Sequence, residues 1–128
     1  MTRGLADTSV FVARVTGRAI REDLLPEEIA VSVITVGELR AGVLAARDVE
    51  TRDRRLATLT HVLGLEPIPI DTAVADAWAR LRILLRDSGQ RLPVNDSWIA
   101  ATAMSLEVPV VTQDEDYVDI PGLPVVRI

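Results

Sequence analysis

The 128-residue chain contains no cysteine. That absence excludes disulfides, thiolate zinc sites and a cysteine nucleophile. Lysine is missing too, and all 14 basic residues are arginine. Codon usage in a G+C-rich genome is enough to produce that bias, so the bias itself carries no functional weight. The lack of any ammonium side chain does exclude chemistry that depends on one. Histidine occurs once, at His61, and within an amphipathic helix it reads as a surface or packing residue rather than a catalyst. No apolar run approaches the roughly 18–20 residues needed to cross a bilayer. The start, Met1 to Asp7, lacks the apolar middle of a signal peptide. Internal repeats, flexible linkers and low-complexity segments are also absent, so a cytoplasmic protein away from membranes is expected.

What is present is apolar and acidic. Hydrophobic residues make up 48% of the chain, too many for a disordered segment. The length suits a single domain over residues 1–128 with a real core. The formal charge of −5 argues against a surface that grips nucleic acid everywhere.

Along the chain, strands alternate with helices. Gly4-Leu5-Ala6 reads as a short buried strand that delivers Asp7-Thr8-Ser9 to its carboxyl end, ahead of a helix from Val10 to Val15. Asp7, Thr8 and Ser9 there either serve a ligand crevice or cap the helix. Arg18 to Glu28 reads as a short helix and loop, and Ile29 to Ile34 as a β-branched buried strand. Thr35 is the expected cap of a helix through Ala46, with Val36, Leu39, Val43 and Leu44 as its core stripe. Glu38 shares a face with Ala41, Gly42 and Ala45, which are small enough for another backbone to approach; the alternative is an ordinary solvated glutamate. A further helix within Asp48 to Leu63 carries Leu56, Leu59, Val62 and Leu63. Pro67 to Ile70 reads as an edge strand. Asp71 caps a helix from Thr72 to about Arg86, with Val74, Trp78, Leu81 and Leu85 inward. Trp78 reads as core or subunit interface. Arg80, Arg82, Arg86 and Arg91 form the best basic patch, or else a solvated face.

The central stretch is Leu92 to Ala103. Asn95 and Asp96 look like helix-start residues. Asp96, Ile99, Ala100 and Ala103 share one helical face that is apolar except for the carboxylate. A carboxylate on an inward face must be neutral, paired or bound to metal. Val108 to Thr112 is the next strand, followed by Gln113-Asp114-Glu115-Asp116-Tyr117, and Pro124 to Ile128 is the last. The pattern predicts an α/β, three-layer sandwich with a mainly parallel central sheet.

In such a sheet Asp7 and Asp114 both follow strands and emerge on one side. Glu38 and Asp96 lie in the first turn or so of helices entered from that side. Four carboxylates therefore converge, and they cannot all stay ionised unaided. A hard divalent cation resolves the conflict, with oxygen-only ligation favouring Mg²⁺ or Mn²⁺ over zinc. Such an ion can polarise a phosphodiester and activate water without a nucleophilic side chain.

Four segments, in order and spacing, resemble the PIN-domain family, and within it the VapC-type toxins of bacterial toxin–antitoxin pairs. They are Asp7-Thr8-Ser9; Ser32-Val33-Ile34-Thr35-Val36-Gly37-Glu38-Leu39; Asn95-Asp96 ahead of Ile99-Ala100-Ala101; and Thr112 to Tyr117. The resemblance spans essentially the whole chain. It implies that Asp7, Glu38, Asp96 and Asp114 form the acidic metal site of an endoribonuclease, with Asp116 beside them and Thr8, Ser9 and Thr112 in support. It implies Mg²⁺- or Mn²⁺-dependent RNA hydrolysis leaving a 3′-hydroxyl and a 5′-phosphate. It also implies a VapB-like antitoxin that presents Arg or Lys to the site, a homodimer, and a toxin–antitoxin hetero-oligomer. Arg40, Arg86 and Arg91 are candidate phosphate contacts at the rim, against the alternative of plain solvated arginines. Tyr117 stands where the family more often has Phe.

Two other classes share parts of this pattern. A response-regulator receiver domain also pairs an α/β sheet with an acidic Mg²⁺ pocket, but it needs a lysine near the phosphoryl group and adjacent acidic residues after the first strand. A haloacid-dehalogenase-type phosphatase fails on the same lysine and on a second aspartate. A PIN fold used only for binding would leave the acidic cluster without a purpose to offset its cost.

Overall fold

The sheet consists of β1 (Arg3–Ala6), β2 (Glu28–Val31), β3 (Val110–Thr112) and β4 (Val125–Arg127), all parallel, in the order β2-β1-β3-β4. The computed structural model describes residues 1–117 and 120–128. The helices are α1 (Thr8–Thr16), α2 (Val33–Ala45), α3 (Val49–Leu63), α4 (Thr72–Ser88) and α5 (Val94–Leu106). From β1 the chain goes to β2 on one side and later returns to β3 on the other. The strand order therefore reverses between β1 and β3, and such reversals open a crevice beyond the carboxyl ends of the strands.

Successive strand side chains point to opposite faces, and this alternation divides the core in two. Leu5 and Val110 join Leu81 and Leu85 of α4 and Ile99, Ala100 and Ala103 of α5. Their neighbours Ala6 and Val111 join Val10 and Phe11 of α1, Leu39 and Val43 of α2, and Leu59 and Val62 of α3. The result is the expected three-layer α/β sandwich. Gly4 permits the close fit within it, since a Cβ there would lie 2.6 Å from Val111 Cγ2.

Several local expectations are corrected. The strand read as Ile29 to Ile34 ends at Val31, because Ser32, not Thr35, caps α2 by accepting a bond from the Ile34 amide (3.0 Å). Glu38 is thereby the sixth residue of α2, in its second turn. Pro67 to Ile70 forms no strand; Ile68 alone bridges to Ser32, because the flanking prolines have no N–H to extend a ladder. Leu44 is 75% exposed and Leu56 and Leu63 are also exposed, so the stripes of α2 and α3 are narrower than the sequence suggests. At Gly42 the close neighbour is the Arg55 side chain, which donates to the Gly42 carbonyl (2.7 Å). Asp71 does cap α4, which runs to Ser88 and stops where Gly89 turns left-handed at φ 68°. Trp78 is half-buried and stacks on Trp98, with ring centroids 4.3 Å apart and planes within 1° of parallel.

Candidate metal centre

Asp7 leaves β1 at the strand reversal and is 1% exposed. It caps α1, and its charge also acts on Asp96. Its Oδ1 accepts bonds from the Ser9 amide and hydroxyl, and its Oδ2 accepts one from the Thr112 hydroxyl (2.8 Å). Each hydroxyl has one proton, and both protons are committed to Asp7. The spare lone pairs accept backbone amides instead: Gln113 N–H bonds Ser9 Oγ and Asp114 N–H bonds Thr112 Oγ1, each at 2.9 Å. The same two hydroxyls therefore fix Asp7 and shape the loop that carries Asp114.

A second relay holds Glu38. Thr8 donates to Glu38 Oε1 (2.6 Å), and its oxygen lies 3.0 Å from the hydroxyl of fully buried Thr35. With the Thr8 proton on Glu38, Thr35 is the donor of the pair. Thr35, read from sequence as a cap, is a support for the acidic side chain on its own helix.

Asp96 is the third residue of α5. The helix starts at Val94 with Pro93 at the cap position and no side-chain cap bond, so neither Asn95 nor Asp96 is spent as a cap. The Asp96 carboxylate is left facing its acidic neighbours. Asp96, Asp114 and Asp116 each offer an oxygen within 4.8 Å of the others. Asp7 and Glu38 lie outside that tight trio but act on Asp96 through their charge.

Electrostatics record the crowding. Burial pushes Asp7 up to about 6, against the lowering effect of its Ser9 and Thr112 bonds. Burial pushes Asp96 to about 7, helped by the charges of Asp7, Asp116, Glu38 and Asp114. Asp114 is also raised, by burial and then by Asp116, while Arg18 pulls the other way. A divalent cation would reverse these penalties. Three carboxylates within reach of one ion, with no thiol or imidazole among them, make an oxygen-only donor set. That set fits Mg²⁺ or Mn²⁺.

The arginines are distributed differently from the expectation. Arg40, Arg86 and Arg91 are exposed, and none is among the charges that act on Asp7, Asp96 or Asp114. Arg86 bonds its neighbour Asp87 (3.1 Å), while Arg82, Arg86 and Arg91 line a groove of about 320 Å³ beside Trp78. The cation felt by Asp114 is Arg18, placed by the left-handed turn at Gly17 that ends α1. Nothing in the local sequence around Arg18 signals this. His61 is exposed and lines a groove between α1 and α3 with Phe11 and Arg14.

Tyr117 directly follows Asp116 in the chain. It is 1% exposed, its ring belongs to the core cluster of Leu81, Ile99 and Ala100, and its hydroxyl has no hydrogen-bond partner among the described residues. Leaving a buried hydroxyl unbonded costs on the order of 1–3 kcal/mol. A phenylalanine there would avoid that cost.

A parallel three-layer sheet with carboxylates gathered at its strand reversal defines a class of acidic-site α/β domain. The chain matches the PIN domain family over residues 5–123 and belongs to that family. Ribonuclease VapC5 of Mycobacterium tuberculosis is 49% identical over 125 residues, spanning 98% of this chain and 93% of that protein. Ribonuclease VapC4 of the same organism is 46% identical over 126 residues, spanning 98% and 97%. Among solved structures, VapBC-5, a member of the VapBC family of toxin–antitoxin systems from M. tuberculosis, superposes with a TM-score of 0.90 at 44% identity, covering both chains completely.

Proposed function

We propose that this protein is a Mg²⁺- or Mn²⁺-dependent endoribonuclease of the VapC toxin type, acting as one domain over residues 1–128 and neutralised by a VapB-type antitoxin. The observation that carries the reading is the trio Asp96, Asp114 and Asp116, with oxygens within 4.8 Å of one another, at the strand reversal of a chain whose relatives are ribonucleases. Asp96, Asp114 and Asp116 would hold the ion directly, with Asp7 and Glu38 completing the acidic rim. A divalent ion bound there supplies Lewis-acid polarisation of the phosphodiester and eases deprotonation of the attacking water.

The remaining work belongs to the chain itself. Ser9 and Thr112 hold both oxygens of Asp7 in place, and Thr8 fixes one oxygen of Glu38, so neither carboxylate has to reorganise during the reaction. Hydrolysis forms a bond from the water oxygen to phosphorus and breaks the P–O3′ bond, leaving the 3′-hydroxyl and 5′-phosphate ends. Arg18, rather than Arg40, Arg86 or Arg91, offers the positive charge acting on Asp114 that would hold an RNA phosphate. The acidic surface suits a basic antitoxin segment, and such a segment would cover the rim. Exposed Leu44 and Val49 support self-association as a homodimer within the hetero-oligomer. Cytoplasmic action on RNA follows from the same reading.

Calorimetry with Mn²⁺ on the antitoxin-free protein, beside RNA cleavage, tests the proposal. Tight binding and cleavage that both collapse in Asp96→Asn are expected. A folded wild type that binds no Mn²⁺ would leave a binding module as the better account.

A further inference from the structure

The one tyrosine of the chain lies at the inner wall of the acidic rim in an unusual state. Its ring is fixed in the core with Ile99 and Ala100, one helical turn along α5 from Asp96, and Asp116 directly precedes it in the chain. The charge of Asp96 acts on this hydroxyl, yet no hydrogen bond links the two, and the hydroxyl stays unpartnered among the described residues. A phenol O–H beside carboxylates, which only accept, acts as the donor. Asp96, in turn, accepts no hydrogen bond from the described residues, whereas Asp7 accepts three and Glu38 one. An acceptor without a donor and a donor without an acceptor therefore stand side by side.

We propose that the Tyr117 hydroxyl is a positioning group for Asp96: it donates to one Asp96 oxygen when the carboxylate turns towards a divalent cation, and so selects the oxygen that faces the ion. A small adjustment of the Asp96 side chain completes the bond, because the tyrosine ring is locked and cannot follow. Partners that orient a metal-ligating side chain in this way typically change metal affinity by about 10- to 100-fold. The inference rests on the metal-dependent reading above.

The test compares wild type, Tyr117→Phe and Asp96→Asn, each free of antitoxin. Tyr117→Phe removes one oxygen and leaves the ring, so folding is preserved. Calorimetry with Mn²⁺ should show affinity lowered about tenfold in Tyr117→Phe, with the metal-free thermal midpoint unchanged or raised. A merely structural hydroxyl would not separate these readouts. RNA cleavage lost at limiting Mn²⁺ should recover at saturating Mn²⁺. Because the chain has a single tyrosine, ¹³Cζ labelling gives one NMR signal; it should move on Mg²⁺ addition in wild type and stay in place in Asp96→Asn. Wild-type Mn²⁺ affinity in Tyr117→Phe, or a tyrosine signal indifferent to Mg²⁺, overturns the positioning role alone. Absence of Mn²⁺ binding by the wild type overturns the metal-dependent reading and this inference with it.

Discussion

Asp7 and Asp96 belong to one acidic rim, and the fold treats them in opposite ways. Asp7 is sealed from solvent and held by three donors from Ser9 and Thr112. Asp96 is half-buried, is held by none of the described donors, and feels four other carboxylates. Asp7 is positioned by the protein in advance, while Asp96, on the function proposed above, is positioned only once a cation arrives. Under that proposal, rigidity on one side of the site and unmet demand on the other suit a centre that binds an ion and can still be blocked by a partner.

The sharpest test of that contrast is activity. Either Asp7→Asn or Asp96→Asn should lower RNA cleavage on the order of a thousandfold, since a divalent centre contributes several kcal/mol of transition-state stabilisation. Only Asp96→Asn should abolish calorimetric Mn²⁺ binding; equal loss in both would mean that Asp7 ligates as directly as Asp96. Next in size, Thr112→Val removes a donor to buried Asp7 and the acceptor of the Asp114 amide. It should destabilise the protein by about 2 kcal/mol in denaturant unfolding.

Smaller effects probe the other side. Without metal at pH 7.5, Asp96→Asn should stabilise the fold by about 1–2 kcal/mol, a figure reduced for the solvent that screens a half-buried group. Asp7→Asn should gain less, because its amide nitrogen would oppose a hydroxyl donor. The pH dependence follows from the same shifts. Asp7 and Asp96 have folded pKa values of about 6 and about 7, above the ordinary 3.8. The folded state therefore holds more protons than the unfolded state between about pH 4 and 7, and metal-free stability should fall as pH rises through that window. Saturating Mg²⁺ should flatten the slope, and Asp96→Asn should remove its upper part. Unfolding midpoints measured from pH 4 to 8 decide this.

Much of this was readable in the chain. The alternation of Leu5 with Ala6 and of Val110 with Val111 separates the two faces of the sheet, and the positions of Asp7 and Asp114 after strands bring them to one end. What escaped depends on geometry beyond the local pattern. The charge of Arg18 acts on Asp114 after the left-handed turn at Gly17, and which arginine a turn brings towards the site depends on tertiary packing. Ser32 and Thr35 are both plausible caps, and which one serves is decided by where β2 stops pairing. The burial of Tyr117 with Ile99 and Ala100 of α5 is set by tertiary packing, so the tyrosine standing where the family more often has Phe becomes a feature only in the folded chain.

The stacked indoles of Trp78 and Trp98 have a practical consequence. They are the only two tryptophans in the chain, they join α4 to α5, and Trp78 also donates to Ser97, next to Asp96 (3.0 Å). All indole emission thus originates from a single helix contact one residue from the acidic rim. The protein has a built-in optical gauge: any event at the rim that shifts α5 against α4 will be visible as fluorescence, without a dye or a label.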